Sequence, residues 1–596
     1  MPQKLPFFYL LFTSFWLLFL MQSNAQSIAV DRIGKDKPLK INGAISTNHI
    51  LYLSSGDNRR SPYNYFLSGN LNFSLYGFAI PLSFSYSNQN FSYQQPFNQF
   101  SLQPTYKGFT AHIGNANMTF SPYTLAGHNF AGAGLEYQPQ NNTPISFSVM
   151  LGRLQKAVAF DTTQTPTGTN YNTNLAAYKR MGTGAKIAYK KNKNSIEASV
   201  FRGWDEENSI IISRKIADSI QVKPQENLAF SISGTTTIFK KISLKAEYGA
   251  SALTTDTRLE GEGNGKSNLF TTLGFKNGSS TSFHNAFKSN IDYQHALFTI
   301  GVGFERISPN YKTLGAYFFN NDMQNITTNV ATRFFKQKLN ISGNFGVQTT
   351  NLSQQKVSSS ERLVGAVNMS MQVSKKLNTS LNYSNFTTFT NIRSQFREVN
   401  ALTPYENLDT LNYRQISQNI GANLAYNIKQ SKEKTSSIQG SLTYQTSADQ
   451  AGRGDLKSGG SFYNFNTGYS YGLPKKNLTL SFSTTASSNS IGNTNSFTIG
   501  PNLNITKAFF DKKLKTNMGI GYNTSKNETT WQSQVYNVRF GAGYVIDKKH
   551  NFNLSNAFMY RKIPTKTSVA ELTLNFTYSY SFSVLGDKKP KTETQK

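Results

Sequence analysis

The chain has 596 residues, with 61 Lys and Arg against 31 Asp and Glu, a formal charge of +30, and no cysteine. Without cysteine there are no disulfides, no thiol nucleophile and no acylated lipoprotein terminus. Charged residues make up 15% of the chain, below the ~25% usual in soluble domains, while 45 Phe and 31 Tyr raise the aromatic share to 13%, a balance suited to lipid-facing strands and interfacial girdles.

At the N-terminus, Lys4 is followed by an almost wholly apolar run from Leu5 to Met21 and then by the small residues of Ser23-Asn24-Ala25. This reads as a cleaved secretory signal peptide over residues 1–25, and it implies export. Residues 26–40 show no strand pattern and read as a short periplasmic lead. No later stretch holds 18 consecutive apolar residues, so no helical span is expected.

From residue 41 onward the chain alternates apolar and polar residues with a period of two, which places one set on each face of a strand. The runs fall at 41–53, 63–76, 79–90, 98–106, 109–117, 128–138, 144–153, 178–190 and 194–203. They continue at 226–239, 242–254, 281–293, 296–306, 325–336, 339–350, 361–374, 377–389, 412–428 and 436–447. The last are 460–473, 477–488, 495–507, 513–524, 533–546, 550–562 and 568–583. Runs of this length cover the 9–11 tilted residues a strand needs to cross a bilayer. The clearest hairpin carries Val367, Met369, Met371 and Val373 on one face, then Ser374-Lys375-Lys376, then Leu377, Leu381 and Tyr383. The polar set is Ser, Thr, Asn, Gln and Gly.

The predicted fold is therefore all-β: a closed antiparallel transmembrane β-barrel over 41–583, of about 26 strands (24–28), apolar outside and polar inside. With 26 strands, the lysine turns near 191, 240, 337, 375, 432, 475, 512 and 548 all fall on one side. The long connections 154–177, 204–225, 307–324 and 390–411 fall on the other, the expected split of short periplasmic turns and long outer loops. A further run, Leu269 to Lys276, spoils this parity if counted as a strand, and is assigned to an outer loop or a strand extension. Strand alternation starts so soon after residue 25 that no N-terminal plug domain is expected. Residues 584–596 read as a basic periplasmic tail. The lysines, spread singly and in pairs over turns, fit membrane headgroups rather than a nucleic-acid footprint. Outer-membrane lipids and lipopolysaccharide are the expected partners, with a protein partner at the outer loops and no nucleic acid.

Two outer connections are rich in functional side chains. The first, 305–322, offers Arg306, Tyr311, Lys312, Tyr317, Phe318 and Asp322 as lumen or outer-loop contacts; an exposed loop would hold fewer aromatics, so it is expected to fold into the lumen, to form a docking surface, or to pack against neighbouring loops. The second offers Arg393, Arg397, Tyr405 and Asp409, suited to polar sugars or peptides. Pro96, Pro104 and Pro122 interrupt ladder bonding and point to kinked strands or an ordered cap near the first hairpins. The six histidines form no close group with carboxylates, so no metal site, cofactor or catalytic constellation is expected and the chain does not read as an enzyme. Gly132-Ala133-Gly134 and Gly519-Ile520-Gly521 sit within strands and match no phosphate-binding loop; they mark bends or close packing.

The stretches Ser121-Pro122-Tyr123-Thr124-Leu125-Ala126-Gly127-His128 and Tyr311-Lys312-Thr313-Leu314-Gly315-Ala316-Tyr317-Phe318-Phe319-Asn320-Asn321-Asp322 resemble a family of large outer-membrane β-barrels from Bacteroidota. The resemblance implies the same fold and location over the whole mature chain, and no activity. Two functions remain open from the sequence: a channel or transporter for polar solutes with a loop-obstructed lumen, or a non-enzymatic barrel component of a secretion or surface-assembly complex.

Overall fold

A computed structural model describes residues 39–584, leaving out 57–60, 76–77, 89–98, 140–142, 160–175, 213, 220, 260–268, 354–360, 386–387, 392–412, 449–459, 492–493, 529 and 565. The signal peptide, most of the lead, the basic tail, and Arg393, Arg397, Tyr405 and Asp409 lie outside the described residues.

The described chain forms one antiparallel sheet of 28 strand segments. Two pairs of segments are single staves with a break. Gln99–Leu102 and Thr105–Tyr106 both pair with Phe109–Thr119, interrupted at Gln103-Pro104 because proline donates no ladder bond. Leu377–Ser384 and Thr388–Asn391 both pair with Tyr413–Gln430. Hence 28 − 2 gives 26 staves. The first strand, Leu39–Ser54, pairs with the last, Lys566–Val584, in register from Ile41↔Val584 to Ser54↔Glu571, and this closes the ring. The first strand thus begins two residues inside the segment read as a lead. At a strand spacing of about 4.8 Å and a tilt near 40°, 26 staves imply a backbone diameter of about 50 Å for a round barrel.

Alternation sorts the two faces. On Leu514–Asn527, Met518 and Ile520 are 45% and 50% exposed and point outward, while Asn517, Gly519 and Gly521 point inward. The same outward set recurs around the ring as Leu151, Ile187, Ile232, Ile291, Val302, Leu442, Phe482, Phe540 and Phe558. A soluble protein exposes no apolar band of this extent, so the outward face is the membrane-facing one. No helix among the described residues is long and apolar enough to cross a membrane.

Both barrel termini and the tight lysine turns share one end, the near end. Ile238 to Lys241 and Ile546 to Lys549 close their hairpins with hydrogen bonds of 3.2 and 3.0 Å. The central residues Phe239, Lys240, Asp547 and Lys548 have φ of 49, 60, 52 and 56°, the left-handed geometry whose twist matches the flanking strands. Phe239, Phe335 and Phe510 stand out largely exposed beside the turn lysines, as interfacial aromatics and snorkelling cations do. The long connections gather at the far end. Leu269–Thr272 is there a single helical turn rather than a strand. Phe270 and Phe275 pack against Leu228, Phe230, Ala250 and Ala252 on the outward face, which explains why an apolar run here breaks the strand count.

Candidate functional site

One sector of the inner wall is apolar. Ala116, Met118, Phe120, Leu125, Phe130, Met150, Leu154, Phe201 and Leu314 form a buried cluster. Most are inward-facing residues of Phe109–Thr119, Ala126–Tyr137, Ile145–Gln155 and Asn194–Glu206. They are covered by two far-end connections that turn into the barrel, 120–125 and 308–322.

The two connections bind each other through backbone and hydroxyl groups. Ala126 N donates to Gly315 O at 2.9 Å, Thr313 Oγ1 to Thr124 O at 2.7 Å, and Tyr311 Oη to Tyr123 O at 2.8 Å. The rings of Tyr123 and Tyr311 meet edge to face, and Phe319 stacks on Tyr311 with centroids 4.9 Å apart. Gly315 is required at this crossing: a Cβ there would lie 2.6 Å from Thr124 O.

Glycines on the wall make the seats. A Cβ on Gly249 would lie 2.6 Å from the Cβ of Tyr123, one on Gly203 3.0 Å from the Cβ of Leu314, and one on Gly184 2.9 Å from Phe120. The wall then holds the segments by hydrogen bonds. Ser251 Oγ donates to Lys312 O at 2.6 Å, Leu314 N to Asn227 Oδ1 at 3.1 Å, and Lys186 Nζ to Phe120 O at 3.0 Å. Thr124, Ser199 and Ser231 form a buried hydroxyl chain with 2.9 Å steps.

Below the docked pair runs a belt of inward charges and amides at one level of the wall. His112 Nε2 lies 3.1 Å from Glu136, and Lys186 Nζ 2.6 Å from Glu197. Glu247 sits opposite Lys288, Lys288 opposite Glu305, Glu305 opposite Asn325, and Asn325 opposite Gln348. The docked segment reaches this belt twice: Ser121 donates to Glu247, and Tyr123 Oη to Glu305 at 3.3 Å. Burial, with the Glu305 and Glu247 carboxylates nearby, pushes the Tyr123 phenol far above its ordinary value; burial does the same to Tyr311. Both phenols therefore remain neutral donors, suited to tying a carbonyl or a carboxylate.

The sequence-predicted residues divide. Tyr311 is fully buried in the docked pair. Lys312 gives its carbonyl to the wall and its ammonium to Gln225 at 3.0 Å. Asp322 is buried and accepts from Leu352 N at 2.8 Å. Tyr317 and Phe318 stay nearly half exposed at the far end, Tyr317 stacked on His128 at 4.0 Å. Arg306 follows Ile300, Val302 and Phe304 on the outward face of Phe298–Ile307, so it is not a lumen contact; its neighbour Glu305 points inward. Glu247, Lys288 and the seat glycines went unnoticed in the sequence. Their only signal was a charge or a glycine at the polar phase of the alternation. No group of His, Asp and Glu able to hold a metal occurs among the described residues.

No family model matches the chain, and no curated protein matches it. Solved outer-membrane barrels do align. A chain of the Escherichia coli P pilus tip assembly intermediate PapC-PapD-PapK-PapG aligns with a TM-score of 0.42 at 10% identity, over 93% of this chain and 62% of that one; the chain spans less than two thirds of that neighbour. The FrpB iron transporter from Neisseria meningitidis (F5-1 variant) aligns at 0.37 and 9% identity, over 91% and 82%. An anion-selective porin from Comamonas acidovorans aligns at 0.26 and 11%, over 60% and 100%.

Proposed function

We propose that this chain is an outer-membrane channel or transporter for polar solutes, of the large Bacteroidota barrel type, and that the pair 120–125 and 308–322 narrows its lumen without carrying out catalysis. The reading rests chiefly on one observation: two connections from a ring of 26 staves are seated inside that ring, on glycines that leave room for them. A barrel of about 50 Å with a Ser, Thr and Asn inner face would otherwise hold a wide hydrated bore. The pair is seated by buried hydrogen bonds and by the apolar cluster around Leu125 and Leu314, so it narrows the bore as an ordered part of the wall. Lipopolysaccharide outside and phospholipid at the lysine turns are its natural surroundings.

Planar-bilayer recording tests the proposal. The intact protein is expected to conduct, and a variant with 309–322 replaced by a short Gly-Ser turn to conduct severalfold more. No current from either protein, both folded, overturns it. The second reading, a barrel that serves secretion or surface assembly, is favoured by the exposed Tyr317 and Phe318 at the far end, since aromatic residues are enriched in protein contacts. Its test is purification in mild detergent: a stoichiometric companion supports it, and a lone barrel removes it.

A further inference from the structure

Charge is spread unevenly over the inner wall and its mouths. The ten strand segments from Leu377–Ser384 to His550–Ile563 contain no Asp or Glu. Elsewhere on the wall, the inward carboxylates among the described residues are each paired or buried. Glu136, Glu197 and Glu305 lie against His112, Lys186 and Lys288, and Glu247 accepts from Ser121. Asp205 accepts from Arg180 at 2.7 and 2.9 Å, and Asp292 from Asn290 Nδ2 at 2.7 Å. Glu571, beside the closing seam, is only 7% exposed.

Three cations at the near mouth are different. Lys245, Arg333 and Lys515 are exposed and stand at the inward phase of their strands, opposite Asn290, Asn340 and Ala508. None of the three forms an ion pair among the described residues. They open onto a rim of the same sign. Each of the eight lysine turns carries at least two lysines, while together these turns hold three carboxylates, Glu433, Asp511 and Asp547. One of these, Glu433, is tied to Lys475 at 2.7 Å.

A mouth lined by one sign of charge concentrates ions of the other, and rings of Lys or Arg side chains favour anions in pores. Salt sets how far such a field reaches. The Debye length is about 10 Å at 0.1 M and about 30 Å at 0.01 M, against a bore radius of about 25 Å. We propose that this barrel selects anionic solutes, with Lys245, Arg333 and Lys515 drawing them in at the near mouth and a wall without accessible carboxylates letting them pass. The inference rests on the channel reading and adds the charge of the solute to it. A cation meets a positive rim and finds no free carboxylate inside, and an uncharged solute gains nothing from either.

The test is the zero-current potential of the full-length protein in a planar bilayer of zwitterionic lipid under a tenfold KCl gradient, since potassium and chloride diffuse almost equally fast in water. Folding is checked by heat-dependent gel mobility. Between about 0.01 and 0.1 M, where the field spans the bore, chloride is expected to be at least twofold more permeant than potassium. Between about 0.3 and 3 M, where screening confines the field to the wall, the preference is expected to vanish. K245E/R333E/K515E is expected to erase or reverse the low-salt preference. K507Q, whose lysine lies over Phe509 on the outward face, is expected to keep it. Equal permeability or a cation preference in the folded intact protein at low salt overturns the proposal. So does an unchanged preference in the folded triple variant, or its loss in K507Q. If the triple variant does not fold, the dilution series on the intact protein decides. A barrel that conducts without preference sinks this inference and leaves the channel standing; a folded barrel with no current sinks both.

Discussion

The substitution Gly249→Ala tests whether the docked pair is held by its fit to the wall. Gly249 lies mid-strand in Ile242–Thr254, opposite Ser231 and Ala286, so the backbone itself tolerates alanine. The added methyl would sit 2.6 Å from the Cβ and 2.8 Å from the Cγ of Tyr123. These atoms lie near the root of the side chain and cannot swing aside. Overpacking of this kind costs about 1–3 kcal/mol, which shifts the balance between docked and undocked by about 5- to 150-fold. The strain falls on the docked state alone, since an undocked segment leaves the methyl facing water. Single-channel recording should show longer or more frequent high-conductance periods, and limited proteolysis should cut within 308–322 faster. Gly234→Ala is the control. Its methyl would meet only Ser195 O, at 3.8 Å, and neither readout should move. If G249A folds and leaves both conductance and proteolysis at the level of the intact protein, the fit at Gly249 does not hold the segment and the argument for the seats fails.

Two further outcomes follow from the faces of the sheet and from the far-end connections. Ile520→Lys places a cation on the outward face near mid-strand and should lower stability in lipid vesicles by about 2–4 kcal/mol by urea titration; Asn517→Lys, three residues earlier on the inward face, should change it by about 0.5 kcal/mol or less. Equal losses would mean that the faces are wrongly assigned. At the far end, Arg258 bonds Asp256 at 2.8 Å and Asp218 at 2.7 Å, joining the connections 207–225 and 255–280. The Arg258 hydrogen bonds hold the Asp256 carboxyl below its usual range. A depressed carboxyl stabilises fully above its unfolded value, about 3.9, and loses that contribution as pH falls through the lower folded value. Proteolytic nicking of 255–280, by an acid-active protease at the low end, should therefore stay flat from pH 8 to about 5 and rise only below about pH 4. A rise near neutral pH would show that another group controls the connection.

The strands were legible because lipid on one side and water on the other impose a period of two over more than ten residues. Every run from 41–53 to 568–583 corresponds to a stave, with ends agreeing within three residues. The break at Pro104 was legible because proline removes a ladder donor there, although Pro81 and Pro501 sit within strands that pair straight through them. The inward turn of 308–322 announced itself by its aromatics. What it rests on did not. Gly184, Gly203 and Gly249 look like the other polar-phase residues of their strands, because a glycine does not say which distant side chain fills its space. Arg306 closes the run 296–306; the ladder continues to Ile307, and the phase set by Ile300, Val302 and Phe304 turns its side chain away from the lumen.

The two halves of the inner wall use glycine in opposite ways. Around Gly184, Gly203 and Gly249 the space is filled by Phe120, Leu314 and Tyr123 from the docked connections, beside the buried apolar cluster and the hydroxyls that hold them. Around Gly519 and Gly521 the space is taken by the carboxamides of Asn504 and Asn502 on the neighbouring strand. A wall that only needed to be smooth would place Ser or Thr at both. The first arrangement stabilises a fixed obstruction. The second lays the asparagines of one strand across the glycines of the next and keeps that side of the wall polar. An obstruction on one side leaves the polar wall opposite as the lining of the remaining bore, so opening the seat at Gly249 should raise the flux of a large neutral sugar into liposomes more than that of a small one; equal gains would mean that the seated pair does not set the bore.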